Sequence, residues 1–354
     1  MADGAHVLSR ECNYSFLEDY QWRKVLKFCL PRGKFILKNK MRYGKIEAAP
    51  GTKATGYFPV LDTGKFFPVT LINGAKEGKT VLLTSAIHGC EYPSIEAVFE
   101  LAERLDPQLI QGQIIVINPV NIDGFLQRRP YIVPDDGKNL NRLFPGNKNG
   151  STGDKMAYVL EKEFMSKADF HIDTHGGDIP EMQPSYVYYP GVGENKEALR
   201  IAEEAAGYVL HAKYQLKSRA TNHAYTWDGV MGVPSLELEL GECTRWTKEE
   251  VEQYKENIVN ILRYLKVLPG EAVKRQKEIK TITEGVYLDA DFDGRWYAYV
   301  GRDDQIVKGQ KIGEIKDLFG KTLIEYHAEF DAEILMVVST LAIRKGDPII
   351  AYGR

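Results

Sequence analysis

A histidine and a glutamate, His88 and Glu91, stand three residues apart where an apolar run gives way to a helical pattern. The apolar residues 81–83 predict a buried strand, and the helical pattern opens at Pro93. At this spacing an imidazole and a carboxylate can converge on one point. Zinc accepts both kinds of ligand, and catalytic sites with two histidines and one glutamate keep a further position open for water. In isolation so short a pair is more often a buried histidine and a helix-start glutamate, so its interpretation depends on the rest of the chain.

Ionisable residues alternate with apolar ones along a second stretch, residues 168–178. His171, Asp173 and His175 fall on one face of a predicted strand, because side chains in a strand alternate between its faces. Three such residues are costly to bury without a function. A carboxylate two residues from a histidine ligand is well placed to orient that histidine. The two glycines at 176–177 allow the backbone to approach a ligand closely. This strand end therefore predicts a further part of a metal site, although a buried polar strand end is the alternative.

Leucine and glutamate alternate with a period of two along residues 236–240. This pattern predicts a strand that carries Glu237 and Glu239 on one face. A glutamate in such a place can act as the general base for a water molecule activated by zinc. A strand with one wet face would show the same alternation. Because both glutamates lie on the same face of the predicted strand, the alternation does not indicate which of them is the general base.

Residues 119–150 are loop-like and rich in polar side chains, and a long loop inside a compact domain usually has a function. Arginine binds a carboxylate through two parallel hydrogen bonds, and asparagine can add another beside it. Arg128, Arg129, Asn141 and Arg142 are therefore candidates for substrate binding. A solvated basic loop on the surface is the alternative. Four residues that precede the glutamate strand are further, weaker candidates for the pocket wall: Asn222, His223, Tyr225 and Trp227.

The order of the predicted elements indicates the fold class. A hairpin over residues 57–72 is followed by a strand at 80–87, a helix at 93–105 and a strand at 113–117. Strand, helix and strand in this order favour a parallel α/β sheet. We therefore expect a mixed, mostly parallel sheet flanked by helices. Ligands of such sheets gather beyond the carboxyl ends of the strands, which is where His88 lies.

Three parts are predicted along the chain. Residues 1–54 form a leader segment that packs on the catalytic domain, with a rough helical face at 15–30. Residues 55–272 form the catalytic domain. Short strands and repeated Lys-Gly turns in residues 273–354 predict a small all-β domain of the barrel-sandwich type.

The composition argues against several classes of protein, among them nucleic-acid-binding, membrane and disulfide-rich proteins. The 354 residues are 44% hydrophobic, and the net charge of −3 gives no reason to expect nucleic acid or an anionic membrane as a partner. The start of the sequence lacks the pattern of a signal peptide, and no apolar run approaches a membrane span. We therefore expect a cytoplasmic protein. The four cysteines are far apart and predict no disulfide framework. Cys90 lies between the first two candidate ligands, but a neighbour in sequence usually points elsewhere.

Four motifs in order identify the chain as similar to a known family. They are His88-x-x-Glu91, the block at residues 139–146 that contains Asn141-Arg142, Asp173-x-His175-Gly-Gly and Glu239-Leu-Gly. With them the chain resembles the succinylglutamate desuccinylase/aspartoacylase family of the zinc carboxypeptidase superfamily, over roughly residues 55–265. The tail resembles the β domain that these proteins often carry. It also resembles the fold of lipoyl and biotinyl carriers, but it lacks their modified lysine, so we expect no covalent cofactor.

The resemblance implies roles for individual residues. It implies one zinc ion per chain, held by His88, Glu91 and His175, with Glu239 as general base and acid. Asn141 and Arg142 would hold the substrate's carboxylate, and Arg129 or its neighbour Arg128 would polarise the scissile carbonyl. Glu237 remains the competitor of Glu239. His171 lacks the glycine pair that follows His175, so His175 is preferred as the ligand.

The activity that this resemblance implies is hydrolysis of the amide bond of a small N-acyl amino acid. The alternative is a zinc carboxypeptidase that acts on small peptides. A binding protein that kept the fold without catalysis is a third possibility, which the complete set of ligands and base argues against. The sequence leaves open the acyl group, the amino acid and the oligomeric state, a homo-oligomer included.

Overall fold

A nine-stranded sheet runs through the computed structural model, which describes residues 40–275 and 279–354. Its strands stand in the order β12-β10-β9-β11-β7-β5-β6-β4-β3. The strands up to residue 282 are β1 (Met41–Tyr43), β2 (Ile46–Ala48), β3 (Thr52–Pro59), β4 (Phe66–Asn73), β5 (Lys76–Ser85), β6 (Gln111–Ile117), β7 (Phe170–His175), β8 (Glu181–Met182), β9 (Tyr186–Pro190), β10 (Tyr214–Ser218), β11 (Ser235–Glu239) and β12 (Lys280–Ile282). Among the strands that the structure describes, β1 and β2 pair only with each other.

Five of the eight neighbouring strand pairs in this sheet are parallel. The sheet is therefore mixed and mostly parallel, and this part of the predicted fold class is confirmed. The central strands are apolar because both of their faces are covered. Residues 81–85 of β5 are all buried, and so are all six residues of β7.

Six α-helices accompany the described strands. They are α1 (Tyr92–Arg104), α2 (Ile122–Gln127), α3 (Thr152–Glu163), α4 (Lys196–Ala206), α5 (Ala224–Met231) and α6 (Lys248–Tyr264). α6 begins where the Thr247 side chain accepts a hydrogen bond from the Glu250 amide, which satisfies one of the free donors of the first turn. Val251, Ile258 and Leu262 lie on its buried face at helical spacing. α6 packs against α1 with this face.

The predicted hairpin, helix and strands are present within a few residues of these bounds, whereas helix α5 was not predicted and the stretch of residues 119–150 differs. This stretch is not a continuous loop, because it contains α2 and a single 3₁₀ turn at Leu140–Arg142. The side chain of Asn121 caps α2 by accepting a hydrogen bond from the Gly124 amide. The predicted helix at 15–30 and most of the predicted leader lie outside the described residues.

Eight further strands follow β12 and form two small sheets, in the orders β13-β20-β18-β15 and β17-β16-β14-β19. Their bounds are β13 (Gly285–Asp289), β14 (Gly294–Ala298), β15 (Gln305–Ile306), β16 (Lys311–Lys316), β17 (Thr322–His327), β18 (Ala332–Val338), β19 (Ala342–Ile343) and β20 (Pro348–Gly353). The division at residues 272 and 273 stays a prediction. β12 joins the edge of the central sheet, and β8 pairs with β18.

The carboxyl ends of β5, β7 and β11 meet at one edge of the central sheet. In the parallel pairing Thr84 lies opposite Asp173, and Glu239 lies opposite His175. The sheet therefore brings three of the four sequence motifs to the same place. Among the described residues, the helices are too short or too polar to cross a lipid bilayer.

Candidate active site

Three buried side chains meet beyond the ends of β5 and β7. His88 follows β5, Glu91 precedes α1, and His175 ends β7. Their possible ligand atoms all lie within 4.8 Å of one another. Nδ1 of His88 is 2.8 Å from Oε1 of Glu91, and Nδ1 of His175 is 3.1 Å from Oε2. The side chains have exposures of 10% or less, so water contributes little to their solvation. The structure thus brings together the three residues that the sequence suggested as ligands.

Two atoms of this cluster lack hydrogen-bond partners among the described residues. They are Oε2 of Glu91 and Nδ1 of His175, which face each other. A buried polar atom without a partner is costly, and a divalent cation held between the two would satisfy both. Two imidazoles and one carboxylate are also the donor set of many catalytic zinc sites. The residues present therefore fit a metal ion.

The far nitrogens of both histidines have partners that fix the orientation of the rings. Nε2 of His175 is 3.1 Å from Oδ2 of Asp173, and Nε2 of His88 is 3.1 Å from Oδ1 of Asn139. A proton donated from each Nε2 leaves each Nδ1 as the lone-pair donor toward Glu91. The carboxylate and the amide oxygen thus select the tautomer that a metal requires.

His171 takes part in a different network. Its Nε2 lies 2.7 Å from the Thr84 hydroxyl, which itself donates to Oδ1 of Asp173. Its Nδ1 lies 2.7 Å from Oδ2 of Asp228 on α5. Both ring nitrogens of His171 therefore have partners outside the cluster. His171 supports Asp173 indirectly, through the Thr84 hydroxyl.

The ends of β7 and β11 are tied together by one tyrosine. The hydroxyl of Tyr254 on α6 donates to the carbonyl of His175 and accepts a hydrogen bond of 2.8 Å from the amide of Leu240. Tyr254 is fully buried. It holds the backbone that carries His175 beside the backbone that follows Glu239.

Glu237 and Glu239 both line the cavity in front of the cluster. Oε2 of Glu237 accepts a hydrogen bond of 2.9 Å from the Asn141 side chain, and Oε2 of Glu239 accepts one of 3.1 Å from Gln183. Burial raises the pKa of both carboxyl groups, and it places the pKa of Glu239 well above the usual range. A carboxyl group with a raised pKa can accept and return a proton near neutral pH. Both glutamates can therefore do acid–base chemistry here.

Arg142 also lines the cavity, and it is exposed. Its Nη1 donates to the carbonyl of Asn141 at 2.9 Å, and no carboxylate of the described residues lies within ion-pair distance of it. The side chain of Asn141 is engaged at both ends, by Glu237 and by the amide of Ala224. Arg142 is thus the member of the pair that is available to an anion.

Arg128 and Arg129 are not brought to the cluster. Both are exposed residues at the end of α2, where Arg128 adopts a left-handed conformation with φ of 53°, and neither lines the cavity. Cys90 is buried and is not grouped with possible metal ligands among the described residues.

The cavity has a volume of about 450 Å³ and receives walls from distant parts of the chain. Of the four weaker candidates, His223 and Tyr225 line it, whereas Asn222 and Trp227 do not. Residues that the sequence did not suggest are Tyr131, Asn139, Glu181, Gln183, Tyr186, Tyr188, Tyr287, Leu288, Asp289, Met336, Pro348, Ile350 and Ala351, among others. For Tyr186 and Tyr188 on β9 the sequence held a signal of a shared surface, because residues two apart in a strand lie on one face. The residues of β13, β18 and β20 offered none, because long-range packing places them.

Comparisons with known proteins agree with the sequence motifs. A family model described as the succinylglutamate desuccinylase/aspartoacylase catalytic domain matches residues 77–265. The chain is 28% identical over 292 residues to an N-alpha-acetyl-L-2,4-diaminobutyric acid deacetylase from Halomonas elongata. The aligned residues cover 80% of this chain and 84% of that relative. It is 25% identical over 234 residues to a succinylglutamate desuccinylase from Pseudomonas paraeruginosa, over 62% of the chain and 65% of that relative.

Solved structures share the fold. A succinylglutamate desuccinylase/aspartoacylase from Rhodobacter sphaeroides superimposes with a TM-score of 0.72 at 22% identity, over 85% of this chain and 95% of the other. A product-bound ectoine utilization protein from Ruegeria pomeroyi gives a TM-score of 0.74 at 22% identity, over 85% and 94% of the two chains.

Proposed function

Because the chain belongs to the succinylglutamate desuccinylase/aspartoacylase family, we propose that it is a zinc-dependent hydrolase that cleaves the amide bond of an N-acyl amino acid. Two similar proteins are named for such substrates, one for an acetylated and one for a succinylated amino acid. The observation that carries the proposal is the buried His88, Glu91 and His175 cluster, with two atoms that lack partners, beside glutamates of raised pKa.

His88, Glu91 and His175 would hold the metal ion. When bound there, zinc supplies Lewis-acid chemistry, because it lowers the pKa of a water molecule and polarises a carbonyl oxygen. Asp173 and Asn139 hold the two imidazoles in the tautomer that this requires. Replacement of such partners weakens metal binding even though they do not touch the metal.

Glu239 is the proposed general base and acid. It accepts a proton from the attacking water and returns it to the nitrogen of the leaving amine. Two observations favour it over Glu237: it lies directly opposite His175 in the strand pairing, and it is less deeply buried. Glu237 lies opposite Asp173, and its Oε2 is held by Asn141 and lies 3.6 Å from Nε2 of His175, the nitrogen on the far side of the ring from Glu91.

Arg142 is the proposed anchor of the substrate's carboxylate, because it is a cation in the cavity wall without a carboxylate partner among the described residues. Asn141 supports this anchor indirectly by holding Glu237 in place. The role of Arg129 or Arg128 in stabilising the oxyanion stays a prediction from the family resemblance, and no contact with the cavity supports it.

An R142Q variant should bind N-acyl amino acids more weakly, because it loses a charge-assisted, two-point contact to their carboxylate. We expect KM to rise by about tenfold to a hundredfold. Steady-state kinetics on the acid and on its carboxamide analogue measure the effect, and the analogue should be affected little. R200Q is the matched control, because Arg200 is exposed on α4 and pairs there with Glu197 and Glu204. An equal loss on acid and carboxamide would contradict the assignment.

The proposal includes the strands after β12 as a barrel-sandwich β domain that closes the cavity. Tyr287, Leu288 and Ile350, which come from β13 and β20, support this because they line the cavity. Cytoplasmic location stays a prediction from the sequence, and the oligomeric state stays open.

The test is an assay of the zinc-loaded protein on a panel of N-acyl amino acids and short peptides, with the released amine measured. We expect free amino acid from at least one N-acyl amino acid. Release only from the carboxyl end of peptides would make the protein a carboxypeptidase instead. A protein that binds zinc and hydrolyses nothing in the panel would overturn the proposal and leave a binding module.

A further inference from the structure

Buried polar atoms without partners remain in the cavity wall after the metal ligands are accounted for. Among the described residues that line the cavity, three buried side-chain atoms lack a hydrogen-bond partner: Oε2 of Glu91, the Tyr131 hydroxyl and Nδ1 of His223. Glu91 is a proposed metal ligand. A buried polar atom without a partner is costly, so the other two atoms are candidates to contact a bound substrate.

Of these two residues, Tyr131 is the one that contacts the cluster of proposed ligands. Its ring meets the ring of His88 edge to face, with 5.9 Å between the centroids and an angle of 86° between the planes. The ring of His223 instead lies 5.9 Å from that of Tyr225. Tyr131 therefore borders the place where the scissile bond must lie.

Three other tyrosines in the cavity wall already use their hydroxyl groups. Tyr186 donates a hydrogen bond of 2.9 Å to the side-chain oxygen of Gln183. The hydroxyl groups of Tyr188 and Tyr287 lie 2.8 Å apart and bond to each other. Tyr131 differs from these three because its hydroxyl proton is not committed to a described residue.

Glu181 is the alternative partner of the Tyr131 hydroxyl. Burial, followed by the charge of Glu181, raises the pKa of Tyr131, so its hydroxyl stays protonated at neutral pH. The two groups are close, but their geometry does not form a hydrogen bond, and Oε2 of Glu181 accepts one of 2.9 Å from the amide of Asp178. The Tyr131 hydroxyl can therefore donate to an incoming oxygen atom.

The backbone around Tyr131 is strained. Tyr131 has φ of 60° and Arg128 has φ of 53°, both in the left-handed region that residues other than glycine seldom adopt. The amide of Tyr131 donates a hydrogen bond of 2.9 Å to Asp178, a fully buried carboxyl group three residues after His175. Strain of this kind persists where the surroundings impose it, and it is concentrated at functional sites. The same segment leaves Arg128 and Arg129 outside the cavity and places Tyr131 in its wall.

We propose that Tyr131 is a catalytic residue whose hydroxyl donates a hydrogen bond to the oxyanion of the tetrahedral intermediate, in place of the arginine that the family resemblance implies. When the oxygen of the attacking water bonds to the carbonyl carbon, the π electron pair moves to the carbonyl oxygen, and Glu239 takes the proton of the water. Tyr131 keeps its own proton throughout. The carbonyl then re-forms, the carbon–nitrogen bond breaks, and Glu239 returns the proton to the nitrogen. This inference rests on the proposed deacylase function and adds a residue to its mechanism.

The Y131F variant tests the hydroxyl group alone, because phenylalanine keeps the ring beside His88. We expect kcat to fall by about 10²- to 10³-fold, as for loss of one oxyanion donor. KM should change little, because the lost hydrogen bond strengthens only as charge develops in the transition state. Zinc content, from elemental analysis, should equal that of the unmodified protein. Y189F is the matched control and should keep kcat, because Tyr189 is buried on β9 but does not line the cavity.

Calorimetry on the zinc-loaded protein gives a readout that does not depend on turnover. The probe is a phosphonamidate in which a tetrahedral phosphorus replaces the scissile carbonyl carbon of the best N-acyl amino acid, because such analogues resemble the transition state. Y131F should weaken binding of this probe by about the same factor as kcat, and binding of the product amino acid should change little. Equal weakening of probe and product would overturn the proposal and leave Tyr131 as a residue that packs against His88 or pairs with Glu181.

The remaining outcomes separate this inference from the proposed function. R128Q and R129Q test the competing assignment of the oxyanion donor. If either lowers kcat more than Y131F does, or if Y131F keeps the kcat of the unmodified protein, the role of Tyr131 is overturned and the deacylase stands. Failure of the unmodified protein to hydrolyse any N-acyl amino acid would instead overturn the proposed function itself, and the role of Tyr131 with it.

Discussion

Replacement of Glu239 by glutamine should lower kcat for amide hydrolysis by about 10²- to 10⁴-fold while the metal stays bound. Glutamine keeps the shape of the side chain and can still contact Gln183, but it cannot accept a proton from the attacking water. Steady-state kinetics together with elemental analysis of the variant measure both parts of this expectation. Metal content should equal that of the unmodified protein, because Glu239 is not one of the three clustered residues.

E237Q is the matched control for this prediction. Glu237 stands on the same face of β11, two residues earlier, and burial raises the pKa of its carboxyl group as well. We expect its replacement to lower kcat less, because Glu237 is more deeply buried, and its Oε2 is already held by the Asn141 side chain and lies 3.6 Å from Nε2 of His175. If E237Q loses more activity than E239Q, the two roles must be exchanged.

Replacement of His175 by alanine should remove both the metal and the activity. A zinc site with three protein ligands loses a third of its ligands, and the carboxylate of Glu91 is left buried with one fewer partner. After dialysis we expect less than about a tenth of the original zinc content, since even loss of an indirect partner can cost 10- to 100-fold in affinity. Elemental analysis, kinetics and a thermal unfolding curve are measured on the same sample.

H223A is the control for that variant. His223 also lines the cavity, but it is not grouped with possible metal ligands among the described residues. The H223A variant should therefore keep its zinc. Treatment of the unmodified protein with a chelator should likewise abolish activity, and added zinc should restore it. Full zinc content in a folded H175A protein would exclude His175 as a ligand.

The ends of the central strands could be predicted because local patterns specify them. An apolar run before His88, and the alternation of His171, Asp173 and His175, each indicate a strand without reference to the rest of the chain. Parallel pairing then necessarily brings these ends together. The choice between His171 and His175 follows in the structure from hydrogen bonds to Thr84 and Asp228, which no local pattern predicts.

Helix α2 was not predicted because its local signals are weak. It is six residues long and contains Gly124, which lowers helix propensity. Its capping residue, Asn121, is as typical of turns as of helix starts. The helix ends with Arg128 in a left-handed conformation, and this end leaves the two arginines exposed outside the cavity. A sequence motif can identify such arginines but not their direction.

Part of the cavity wall could not be predicted because it depends on contacts between distant segments. Asp289 and Ile350 reach the cavity through β13 and β20, which pair with each other and, through β18, with β8 of the catalytic region. The pattern of a strand indicates which residues share a face, but not which cavity that face meets.

The pairing of β8 with β18 has a consequence for synthesis on the ribosome. Glu181 and Met182 leave the ribosome long before Val337 and Val338, with which they pair. His88, Glu91, His175 and Glu239 can therefore assemble early, since domains begin to fold as they emerge. Until residues 350–351 have emerged, the nascent chain has the clustered side chains but lacks the wall that encloses them. The wall formed by β13 and β20 is thus completed after the side chains that it encloses.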